Sequence, residues 1–95
     1  MTRDKLDELF DKHDAEWQKY ERVEQPRHNR CDLAAFLLLD ALVPSASAMV
    51  SAGANEQIFL ETDLDALAKV VTEEQIIELI RYGIFVDQDS LSLYL

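Results

Sequence analysis

Only one cysteine, two glycines and two prolines occur in this 95-residue chain, and its 19 acidic side chains outnumber the 9 basic ones. Each shortage excludes something. The lone Cys31 has no partner for an internal disulfide, which fits a reducing compartment. With glycine only at positions 53 and 83, no glycine-rich phosphate cradle can be written, and there is no nucleophile elbow and no spaced triad. The expectation is a protein that is not an enzyme and takes no cofactor. The longest apolar run, residues 33–43, is about half of the ~20 residues that a membrane span needs, so it reads as a buried helix and not an anchor. From Thr2 onward the N-terminus alternates charge, without an apolar stretch and small-residue cleavage site. The cytoplasm is therefore expected.

The shortage of basic residues has a consequence of its own. A formal net charge of −10 repels nucleic acid and anionic membrane, so neither is expected as a direct partner, and a protein with a basic surface is favoured. Arg27, His28 and Arg30 form one basic knob, too shallow a footprint for reading DNA. Residues 58–95 are the acidic end, with eight acidic and two basic side chains.

What is present suffices for one core. Hydrophobic residues make up 48% of the chain and charged residues 29%, a balance that predicts a single domain over residues 1–95. Over residues 3–22, Leu6, Leu9, Phe10, His13, Trp17 and Tyr20 recur at helical spacing, which predicts one amphipathic helix capped by Thr2 and closed before Pro26. A second helix is expected from Asn29 or Asp32 to Pro44. It is apolar nearly all round, so it should be buried nearly all round, with Asp40 its one outward position. Residues 44–55 are small and read as a loop. A strand follows at 58–61, then two short helices at about 63–71 and 73–82. Thr62 with Asp65, and Thr72 with Gln75, are read as capping boxes, and Gly83 as the stop. Asp87-Gln88-Asp89-Ser90 reads as a hairpin turn between 84–86 and 91–95. The expected class is thus α+β: two N-terminal helices, one amphipathic and one buried, then a strand, two short helices and a C-terminal hairpin, with helices on one face of a small antiparallel sheet.

The stretches 31–33 with 39–44, 62–67 with 72–79, and the terminal hairpin resemble small acidic proteins encoded by bacterial phages and prophages, over roughly residues 27–95. The resemblance implies a bacterial cytoplasm and an accessory role. It assigns no functional residue, and the first helix lies outside it.

Several constellations have plain structural explanations. His28-x-x-Cys31, even joined by His13, supplies too few ligands for zinc, so no metal is expected. His13 on the stripe reads as a hydrogen-bonded core histidine and Cys31 as packing. Asp87 and Asp89 lack the glycine and closing glutamate of a calcium loop and read as turn residues. The acidic row is different. Asp4, Asp7, Asp11 and Asp14 follow one another by three or four residues on the first helix, and such like-charge neighbours cost roughly 0.2–0.5 kcal/mol each, so the row is not there for local stability. The expected function is a non-enzymatic, acidic protein-binding module that inhibits or modulates a basic nucleic-acid-handling partner by nucleic-acid mimicry. Its expected contacts are Asp4, Asp7, Asp11 and Asp14, with Trp17 as an anchor. The alternative is an assembly protein, homodimeric through the first helix.

Overall fold

The computed structural model describes residues 1–45, 48–54 and 56–94, with the backbone alone at residue 54. Helix α1 spans Arg3–Lys12, and the Thr2 hydroxyl accepts the Lys5 N–H at 3.1 Å, the expected cap. Leu6, Leu9 and Phe10 lie on one helical face and are buried.

The helix ends well short of residue 22. Asp14–Glu16 forms a single 3₁₀ turn, Gln18 takes a positive φ of 62°, and Tyr20–Arg22 forms a second 3₁₀ turn. An unbroken helix would carry Asp14, Glu16 and Glu21 towards its C-terminus, against the macrodipole. The bend instead lets the Gln18 N–H donate to the Ile80 carbonyl at 3.0 Å and brings Trp17 against the sheet. Tertiary contacts therefore override a periodic stripe.

Helix α2 spans Cys31–Leu42 and corrects a second expectation. Only one side is buried, through Ala34, Ala35, Leu38 and Leu39; Leu37 is 50% exposed, and Cys31, Asp40 and Ala41 face outward. A chain this short has too few elements to surround a helix. Neither expected cap serves it: Arg30 holds the N-cap position, and the Asp32 carboxylate accepts the adjacent Leu33 N–H at 2.9 Å.

Within the segment expected as a loop, strand β1 runs over Val50–Ala54; residues 46, 47 and 55 lie outside the described residues. Strand β2 is Gln57–Leu60, β3 is Ile84–Asp87 and β4 is Ser90–Tyr94. They form one antiparallel sheet in the order β1-β2-β4-β3. Between β2 and β3 stand α3, Leu64–Val70, and α4, Glu73–Arg81. Asp63, not Thr62, caps α3, its carboxylate accepting the Asp65 and Ala66 N–H groups. For α4 the full capping box of Thr72 and Gln75 is present, and Gly83 follows the helix with φ +104°, a conformation that side chains rarely adopt.

The register sets the two faces of the sheet. Ile58, Leu93 and Ile84 lie side by side, as do Leu60, Leu91 and Val86, and all six belong to or pack against the cluster that holds Leu6, Leu39, Leu67 and Leu79 from the four helices. On the opposite face Phe59, Ser92 and Phe85 align, and the Gln57 side-chain amide donates to Asp87 at 3.0 Å and to Ser92 at 3.1 Å.

Candidate functional site

The early end of α1 and the edge position of β3 together create a groove of about 620 Å³. One wall carries Asp7, Phe10 and Asp11 of α1 and Asp14 of the following turn. The other side is Ile80 of α4, Ile84, Phe85 and Val86 of β3, and Tyr94 of β4, with Trp17 among them. The Trp17 ring meets Phe85 and Tyr94 edge-on, each at 5.9 Å between centroids and at 90° and 84°, while Phe85 and Tyr94 lie 6.1 Å apart. Such geometry is favoured by the ring quadrupoles. Among the described residues, Trp17 Nε1 is a buried side-chain donor without an acceptor.

Three of the four aspartates expected as contacts thus meet Trp17 in one place. Asp4 does not: it is exposed in the first turn of α1, outside the groove lining. Asp7 is held by Arg3, whose Nε donates at 3.0 Å while its Nη2 reaches the Gln88 carbonyl at 2.8 Å, fastening α1 to the β3–β4 turn. Asp11 and Asp14 are exposed, with no ion pair among the described residues. Phe85, Tyr94, Ile84 and Val86 were missed in the sequence, where the only signal was the alternation within the hairpin.

Three other arginines are engaged away from the groove. Arg81 and Arg22 both hold Glu16, and the Arg81 hydrogen bond, ahead of all else, keeps that carboxyl below its ordinary range. Arg27 Nε reaches Glu78 at 3.0 Å, and the Tyr82 hydroxyl donates to the same oxygen. Burial, reinforced by that bond, pushes the Tyr82 hydroxyl up to about 12. The expected core histidine, His13, is hydrogen-bonded to Glu73 at 2.7 Å, and this bond, then Lys12, holds Glu73 below the usual carboxylate range.

The remaining constellations separate. His28 Nδ1 accepts the Arg30 N–H at 3.0 Å, Cys31 is exposed instead of packed, and among the described residues no three His, Cys, Asp or Glu side chains gather as a metal site. Asp87 and Ser90 pair across the hairpin, leaving Gln88 and Asp89 as the turn itself, with Gln88 at φ 58°. The apolar face of α1, through which a homodimer was the alternative, is covered by the chain's own core: Leu6 is fully buried, Leu9 and Phe10 nearly so. Among the described residues no helix is long and apolar enough to cross a membrane. No family model matches the chain, and neither a curated protein nor a solved structure is significantly similar to it.

Proposed function

We propose that this chain is a non-enzymatic binding module whose groove between α1 and β3 receives a positively charged surface of a protein partner. The observation that supports it is the meeting of Asp7, Asp11 and Asp14 with Trp17, Phe85 and Tyr94 in a lining that holds no lysine or arginine. Carboxylates beside low-dielectric walls focus their field on whatever enters, and aromatic faces attract lysine and arginine heads in their own right. The net charge of −10 extends that attraction beyond the groove and speeds encounter.

In this reading the chain is a phage-type accessory protein of the bacterial cytoplasm that inhibits or modulates a basic, nucleic-acid-handling protein. Asp7 and Asp11 stand ~6 Å apart along the helix axis, coarser than the ~3.4 Å rise between phosphates of one strand. The imitation is of charge, not of spacing.

The test reverses Asp11 and Asp14, which hold nothing else in place. Wild-type protein immobilised in a bacterial lysate retains a basic protein at low salt and releases it at high salt, and Asp11→Lys/Asp14→Lys retains none. Retention indifferent to both the reversal and the salt overturns the proposal.

A further inference from the structure

We infer that the outward face of α2 is the seam of a homodimer in which two copies of the helix pack antiparallel. The inference uses no residue of the groove and goes beyond the reading above. Arg30, Leu33, Leu37 and Asp40 follow one another by three, four and three residues. That spacing keeps side chains on one stripe of a helix and is the spacing of a helix-pair seam. Arg30, Leu37 and Asp40 are exposed and Leu33 is partly buried, while Ala34, Ala35, Leu38 and Leu39 are buried on the core side. Phe36 and Leu42 pack against the core cluster, whereas Leu33 and Leu37 stand outside it.

The charges at the two ends of the stripe identify what covers it. Arg30 holds the N-cap position of α2 without a side-chain cap hydrogen bond, and Asp40 stands in the last turn. Each sits at the end of the macrodipole that disfavours its charge, so neither is placed for the stability of its own helix. In an antiparallel pair with Leu33 opposite Leu37 of the partner subunit, Arg30 lies opposite Asp40 of the partner subunit, and the two-fold axis repeats both contacts. Every charge then meets an opposite one and the end of the neighbouring helix that favours it. A parallel pair would set like on like. Asp40 has no ion pair among the described residues. Arg30 reaches Asp32 at 3.5 Å, but its side chain is 66% exposed and has donors to spare. Over residues 26–44 two arginines balance two aspartates, so two acidic chains repel little along this strip. A seam of one 12-residue helix falls among the small interfaces, below about 1,200 Å², and the dimer is weak, half assembled at roughly 0.1 mM.

The test is sedimentation equilibrium of the full chain up to ~1 mM, in about 0.15 M salt and with a reductant for the exposed Cys31. The wild-type mass is expected to rise with concentration from 10.9 kDa towards twice that value. Asp40→Arg and Arg30→Asp each set two like-charge pairs across the seam and are expected to weaken the dimer about tenfold or more. The combined Arg30→Asp/Asp40→Arg restores it. Both substitutions suit the macrodipole, and aspartate is a preferred N-cap, so α2 is expected to keep its helix content by circular dichroism. Asp40→Arg also lowers the net negative charge, which by itself favours association, so weakening in that variant reports the local pair. A wild-type chain that stays monomeric at ~1 mM overturns the inference. So do single variants that dimerise as well as wild type, or a combined variant that stays monomeric. None of these results touches the cationic groove.

Discussion

Replacing Tyr82 with phenylalanine separates the burial of this ring from the ionisation of its hydroxyl. The side chain is 1% exposed, packs near Tyr20, donates to Glu78 and receives the Arg27 backbone N–H at 3.4 Å. At neutral pH the loss of a hydrogen bond to a carboxylate is expected to cost about 1–3 kcal/mol, softened because Glu78 keeps Arg27. The alkaline range is more telling. In the unfolded chain the hydroxyl titrates near 10, in the folded chain near 12. Between these values the folded state holds a proton that the unfolded state has released, so stability is complete below pH 10 and drains as the pH rises towards 12. Two pKa units correspond to at most about 3 kcal/mol. Urea unfolding followed by circular dichroism, with a reductant for Cys31, gives the stability of wild type and Tyr82→Phe at each pH. Their difference is expected to shrink steadily over this range, because whatever the two proteins share cancels between them. A difference that stays constant from pH 10 to 12 would refute the account of the buried hydroxyl.

Four further outcomes are expected. Leu39→Ala, at a fully buried site, costs about 2–5 kcal/mol in urea unfolding, whereas Leu37→Ala, two residues earlier on the outward side of α2, stays within about 0.5 kcal/mol; equal losses would restore a helix buried all round. Thr72→Ala breaks the capping box of α4 and lowers stability by about 1 kcal/mol, and an unchanged midpoint would show that the box contributes nothing. Gly83→Ala costs about 1–3 kcal/mol, since φ +104° is disfavoured for any side chain and the new Cβ would stand 3.3 Å from Leu93. Glu16 and Glu73, held below their ordinary 4.5, contribute stability that is present above that pH and lost as the pH falls through their folded values; Glu16→Gln is expected to flatten part of the acid limb of the stability curve.

Local chemistry was readable where it is local. The Thr2 cap, the Thr72–Gln75 box and the glycine after α4 depend on neighbours three or four residues apart, and each forms as expected. What failed depends on distant partners. The stripe through Trp17 and Tyr20 fits a helix, yet Ile80, Phe85 and Tyr94 claim that stretch for a bend. The apolar run of α2 says that burial is available, not how many sides the rest of the chain will cover. Strand β1, Val-Ser-Ala-Gly-Ala, has almost no strand composition and exists because β2 offers it an edge. The acidic row was visible, but half of its meaning was not. Asp7, Asp11 and Asp14 are separated from Asp4 by where the β3 edge lies, and that edge is fixed by pairings with β4 far along the chain.

Trp17 is the single tryptophan and lines the groove, so its fluorescence reports on what enters there. The most direct measurement is a titration of that emission with a short lysine-rich peptide, at low and at high salt, in wild type and in Asp11→Lys/Asp14→Lys. A saturable change in wild type that weakens steeply with salt, and vanishes in the folded variant, is the expected result. An emission spectrum that the peptide leaves unmoved, or moves equally in both proteins, would contradict a cation-binding groove.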